Sequence, residues 1–281
     1  MTPLRVLESA RAVVRIVGRT APVLAYEVGA FASTVAMAPL CLVGGGLEPA
    51  SSVSPHAKTH AAPTARPVLL VHGFGGTKSS WSVIAHALSD RGILVEVITY
   101  SPLGSSVEQL ADELVAAVER TLSQTGAAKV HLVGHSLGGV VIAQAIAGGG
   151  LVGLVDTVIT LGSPFGGSPW AGLLPVGDLL RALRPGSALL RRLASAPVPV
   201  GVRWLAVTAA LDIIVPGPRS VPTQANVETI MVHGVGHLGM LVSRRVVGYI
   251  VTALPAHGSP VAAEPLMRRL PTATGQAATA S

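Results

Sequence analysis

The sequence predicts an α/β fold: a mostly parallel β-sheet flanked by helices, with a small helical cap inserted late in the chain. Three observations lead to it. From Pro67 to Leu254, short apolar runs of strand length alternate with longer stretches of helical periodicity, the pattern of successive β-α-β units. Apolar residues make up 49% of the chain but aromatics only 3%, so the core must be built largely from Val, Leu and Ala, as suits strands buried on both faces. Several of the apolar runs also end directly in glycine-rich turns, where the chain must reverse sharply. With 281 residues, one large core is the natural reading.

At the amino end, residues 1–19 suit a helix that places Arg11, Arg15 and Arg19 on one face at i, i+4 spacing. After Glu27, the run Val28 to Leu47 carries no charge and is long enough to span a membrane, although Pro39 and Gly44-Gly45-Gly46 weaken it as a regular helix. Residues 1–47 therefore read as a basic, hydrophobic targeting or membrane-associated segment, and 48–66 as a linker. This implies a secreted or membrane-associated protein of the cell envelope. The alternative is a helix packed on the main domain of a cytoplasmic protein.

The main domain is expected over 67–254. Its strands are predicted at Val68–His72, Leu94–Thr99, Val130–Gly134, Thr157–Leu161, Val202–Thr208 and Thr229–Val232. Its helices are predicted at Ser80–Ser89, Val107–Thr121, Val140–Ala147 and Leu238–Ala253. Between the fourth and fifth strands, about 165–200, leucines at helical spacing are interrupted by Pro175, Pro185 and Gly186, which fits two short amphipathic cap helices. Residues 255–281, rich in Pro, Ala and Thr, read as a disordered tail.

Charge and cysteine content narrow the partners. The net charge of +6 is concentrated in Arg5, Arg11, Arg15 and Arg19 at the amino end and in Arg181, Arg184, Arg191 and Arg192 of the cap. A nucleic-acid binder would spread its cations along one folded face, so this placement favours an anionic membrane surface over nucleic acid, with ordinary solvated surface charge as the alternative. Cys41 is the sole cysteine, which excludes an internal disulfide and leaves the redox compartment open.

Chemistry concentrates at the ends of the predicted strands. Gly134-His135-Ser136-Leu137-Gly138 lies between an apolar strand and an apolar helix, the setting of a nucleophile elbow. His72-Gly73-Phe74-Gly75-Gly76 ends the first strand in a glycine-rich turn suited to donating a backbone N–H to an oxyanion. Asp212 comes after the fifth strand and His237 after the sixth, giving the chain order serine, acid, histidine.

With Thr160-Leu161-Gly162-Ser163-Pro164-Phe165-Gly166-Gly167 and Gly236-His237-Leu238-Gly239-Met240-Leu241, these motifs resemble the landmarks of bacterial lipases and esterases of the α/β-hydrolase superfamily, over about two-thirds of the chain. The resemblance implies a serine hydrolase of carboxylic esters. Ser136 would be the nucleophile, His237 the general base and acid, and Asp212 the group that orients the imidazole. The amides of Phe74 and Leu137 would form the oxyanion hole. Phe165, Trp170, Leu173, Leu174, Ile214 and Leu238 would line an apolar site for medium or long acyl esters, including lipids. An acyltransferase or thioesterase would use the same triad, and a catalytically silent hydrolase fold that binds an apolar ligand is the alternative of another class.

The competing residues fit other roles. Asp156 precedes a strand and is expected at the surface, while Asp178 falls in the cap. His72 and His131 suit structural hydrogen bonding, and His135 suits shaping the elbow. His233 ends a strand, and His56, His60, His86 and His257 suit exposed or linker positions with no metal-ligand spacing. No cofactor and no metal is expected, and the sequence leaves the oligomeric state open.

Overall fold

Six strands form one sheet in which every pairing is parallel: β1 (Val68–Val71), β2 (Val95–Ile98), β3 (Val130–His135), β4 (Val155–Leu161), β5 (Arg203–Ala209) and β6 (Val227–Val232). Their order in space is β2-β1-β3-β4-β5-β6. The chain moves outward from β1 to β2, then returns to the other side of β1 with β3. That reversal opens a crevice beyond the carboxyl ends of β1 and β3, the position at which parallel sheets take ligands. The structure is a computed structural model that describes residues 20–25, 29, 66–101, 104–172 and 177–254. The expected helix over 1–19, the linker, the tail and all of the uncharged run except Gly29 lie outside those residues. Among the described residues, no helix is long and apolar enough to cross a membrane.

The strands form where the apolar runs predicted them, because covering both faces leaves no solvent side to alternate toward. β1, β3 and β4 are buried at every position, whereas β2 and β6, on the edges, are only partly covered. Successive residues of β1 serve opposite layers. Leu69 and Val71 join one core with α2 (Val107–Thr125) and α3 (Leu137–Ala147), while Val68 and Leu70 join the other with α1 (Ser82–Ser89) and α6 (Arg244–Ala253). The Ser106 hydroxyl accepts from the Gln109 N–H and the Gln109 side chain returns to the Ser106 N–H, starting α2 with a reciprocal cap.

The insertion carries the two short helices expected, α4 (Gly177–Ala182) and α5 (Ala188–Ser195). Their residues Leu179, Leu180, Leu189, Leu190 and Leu193, with Leu183 just after α4, are buried and extend the core on the α2–α3 side.

Two expectations need correction. The stretch Leu238–Ala253 is not one helix: a 3-10 turn spans Leu238–Leu241, and α6 begins only at Arg244. Ser243 breaks the run by adopting extended backbone and accepting the Val246 N–H with its hydroxyl, so a serine inside an apolar periodicity acts as an N-cap.

Asp156 is not a surface residue. The β3–β4 register slips between Val130 and His131, leaving Asp156 as the extra residue, buried beside the His131 ring (3.5 Å) and Arg66 (3.7 Å). Burial pushes the His131 pKa down to about 4, against the opposing pull of Asp156.

Candidate active site

The sequence-predicted nucleophile stands between β3 and α3 in a backbone conformation that side chains rarely adopt. Ser136 has φ 53° and ψ −122°, and no other non-glycine among the described residues has positive φ. Its neighbours make the turn possible by lacking side chains. A Cβ on Gly138 would lie 2.1 Å from the Val71 carbonyl oxygen, and one on Gly134 would lie 2.7 Å from the Gly139 nitrogen. The start of α3 thus presses directly against the end of β1. A Cβ on Gly73 would lie 2.9 Å from the Ser136 Cβ, so the turn after β1 also closes on the serine.

Asp212 and His237 meet although 25 residues apart: the His237 Nδ1–H donates to Asp212 Oδ2 at 2.7 Å, with both side chains buried. Asp212 Oδ1 in turn accepts the N–H groups of Ile214 (2.9 Å) and Val215 (2.7 Å). The carboxylate is therefore held on both oxygens. In the neutral imidazole, a proton held on Nδ1 puts the lone pair on His237 Nε2.

Two further histidines are neutral structural parts of the site. His135 Nε2 lies 3.1 Å from the His237 carbonyl oxygen, which can only accept, so Nε2 carries the proton. Burial, with the nearby His237 ring, holds its pKa well below the ordinary value. His72 donates from Nδ1 to the Gly73 carbonyl (2.8 Å) and accepts the Tyr100 N–H at Nε2. Burial lowers its pKa as well. His72 makes the structural hydrogen bonds expected of it, and His135, expected to shape the elbow, bonds to the His237 main chain.

Ser136 and His237 line one cavity with Phe74, Leu137, Trp170, Ile214 and Leu238. Leu137 opens α3, where the first N–H groups of a helix have no intrahelical acceptor and are free to meet an anion. Phe165, expected in the same apolar site, lines a different cavity, where its ring packs edge-on against Trp204 at 5.9 Å. Leu173 and Leu174 lie outside the described residues.

Leu180 and Leu183, two of the cap leucines read from the sequence, line the cavity, and with them Ser168, which was not singled out. Gly162 was not singled out either. Gly162, at φ 56°, leaves room for the acid–histidine pair: a Cβ there would lie 3.0 Å from Asp212 Oδ2, 3.1 Å from His237 Nδ1 and 2.4 Å from Met240 Cε. The only available signal was its place in the glycine-rich motif after β4.

Comparison with known proteins agrees with this architecture. The model of the alpha/beta hydrolase family matches residues 68–230. A triacylglycerol lipase of Burkholderia plantarii is 36% identical over 160 residues, covering 54% of this chain and 43% of its own. One of Pseudarthrobacter phenanthrenivorans is 37% identical over 133 residues, covering 44% of this chain and 40% of its own. The matches thus span less than half the length of either relative. In fold, the chain is similar to a mature Bacillus licheniformis lipase (TM-score 0.58, 18% identity, 65% of this chain and 89% of that one). It is also similar to Aspergillus fumigatus lipase B (TM-score 0.59, 17% identity, 73% of this chain and 56% of that one).

Proposed function

This chain belongs to the alpha/beta hydrolase family, and we propose that it is a serine hydrolase of carboxylic esters, with lipid or medium- to long-chain acyl esters as its substrates. The observation that carries the reading is the buried Asp212–His237 pair at 2.7 Å, whose histidine lines one cavity with a serine held at φ 53°.

In the proposed reaction, Ser136 Oγ attacks the acyl carbon as His237 Nε2 removes its proton. The carbonyl π electrons move onto oxygen, and the amides of Leu137 and Phe74 accommodate that charge. One such donor is worth about 3 kcal/mol of transition-state stabilisation. Collapse of the tetrahedral intermediate breaks the ester C–O bond, and His237 passes its proton to the leaving alcohol. Water, deprotonated by the same imidazole, then attacks the acyl-enzyme and releases acid and serine. Asp212 holds the imidazole in the required tautomer and stabilises its cation.

An acyl substrate is supported by the cavity wall, where Trp170, Leu180, Leu183, Ile214, Val215 and Leu238 present mainly hydrocarbon. A cell-envelope location is supported by the basic residues ahead of the uncharged run Val28 to Leu47. Membrane partitioning that survives deletion of residues 1–47 would refute that part.

The central test is hydrolysis of p-nitrophenyl esters from acetate to palmitate by wild type and Ser136→Ala, alongside labelling by a fluorophosphonate. Activity that rises with chain length and disappears with the serine is expected. A short-chain optimum overturns the acyl-site assignment, and labelling without turnover points to an acyltransferase.

A further inference from the structure

We infer that Ser168 and Trp170 are positioning residues for the acid of the proposed triad, acting through two peptide groups of the loop after β5; the inference rests on that triad. Both belong to the stem that joins β4 to the cap, more than forty residues from the loop in sequence. The Trp170 Nε1–H donates to the Ile213 carbonyl at 2.7 Å, and the Ser168 hydroxyl donates to the Ile214 carbonyl at 2.7 Å.

These carbonyls belong to the same peptide units whose N–H groups hold the acid. The unit joining Ile213 to Ile214 accepts from Trp170 and donates to Asp212 Oδ1 at 2.9 Å. The unit joining Ile214 to Val215 accepts from Ser168 and donates to the same oxygen at 2.7 Å. Two parallel relays therefore run from the cap stem through a peptide to Oδ1, and from Oδ2 to the His237 Nδ1.

The relays act in two ways. A donor on a peptide carbonyl polarises the unit and strengthens its N–H as a donor, so each relay tightens the hold on the carboxylate. Each also fixes the peptide plane that aims the N–H. Ser168 and Trp170 line the cavity as well, so the surface that meets a substrate is bonded to the loop that carries the acid. The cap stem and the acid form one hydrogen-bonded unit.

Trp170→Phe removes the N–H and keeps an aromatic wall, and Ser168→Ala removes the hydroxyl. Each is expected to lower kcat, and the rate of fluorophosphonate inactivation, about fivefold, the worth of one net hydrogen bond, with KM within about twofold. In an Asp212→Ala background the same changes are expected to shift the residual rate less than about twofold, because the relay has lost its terminus.

Equal losses in both backgrounds, or an effect confined to KM, overturn the proposal. The downfield proton resonance of His237 Hδ1 reads the relay without turnover. It is expected to move in Trp170→Phe and Ser168→Ala, and an unchanged resonance also overturns the proposal. A wild type that fluorophosphonate does not label, but whose resonance moves in the variants, would refute the serine-hydrolase reading and leave the relay standing.

Discussion

Ser136 offers a test of the elbow in which the sign of a stability change decides. At φ 53° and ψ −122° its Cβ crowds its own backbone, a conformation that costs a non-glycine residue about 1–3 kcal/mol. Ser136→Ala keeps the Cβ and therefore keeps the strain. Ser136→Gly removes it, at an entropic cost in the unfolded chain of about 0.5–1 kcal/mol. The main-chain hydrogen bonds of the turn, Ser136 N–H to the Leu161 carbonyl (2.9 Å) and Gly139 N–H to the Ser136 carbonyl (3.1 Å), survive both changes. The glycine variant should therefore be the more stable of the two by about 1 kcal/mol, or roughly 2–4 °C in Tm for a domain of this size. At an ordinary position the order would be reversed. Urea and thermal unfolding of the two variants measure the difference without reference to any substrate. A glycine variant no more stable than the alanine variant would refute the claim that the fold strains this residue.

Three further outcomes are expected. Gly162→Ala, whose Cβ would meet Met240 Cε at 2.4 Å and both members of the acid–histidine pair near 3 Å, should lower kcat at least about tenfold. Met240→Ala in the same chain should restore part of the loss, as kinetics of the single and double variants would report. Burial places the His131 pKa at about 4, below its unfolded value of about 6.5. Between those values the unfolded chain binds more protons, so stability is lost as pH falls through the window. His131→Gln should flatten that loss, read from urea midpoints at pH 4.5 and 7. Leu183→Trp, by filling the cavity from the cap side, should move the ester preference toward shorter acyl chains. An unchanged chain-length profile would remove Leu183 from the acyl site.

The parts of the fold legible in the sequence are those for which one segment carries its own explanation. Val68-Leu69-Leu70-Val71 and, His131 excepted, Val130 to Val133 read as strands because burial on both faces makes the positions apolar. The elbow was legible because its glycines are demanded within five residues. Features set by a second segment were not. Asp156 became buried through a register slip against β3, which no local pattern records. The Phe165 ring packs against Trp204 of β5, a partner that no local pattern names. Ser243 interrupts an apolar periodicity that continues on both sides of it. The bonds from Ser168 and Trp170 to the acid's loop join side chains to carbonyls, and a carbonyl has no residue identity to read.

The sheet order explains why the site itself was nevertheless readable, and where it is most constrained. In a parallel sheet all carboxyl ends lie along one edge, so residues placed just after strands in sequence become neighbours in space. Phe74, Ser136, Asp212 and His237 come after β1, β3, β5 and β6, and the hydrogen-bonded order of those strands brings them to one side. β4 lies between the strand that presents the serine and the strand that precedes the acid, yet supplies no group to the proposed chemistry. The segment leaving β4 must instead make space and then give support. Gly162 leaves the space, since any side chain there would enter the acid–histidine contact. Six and eight residues later Ser168 and Trp170 bond to the loop on the far side of that contact. The constraint on this segment is thus an absent side chain succeeded by two hydrogen-bond donors, which is why searching for reactive residues alone passes over it.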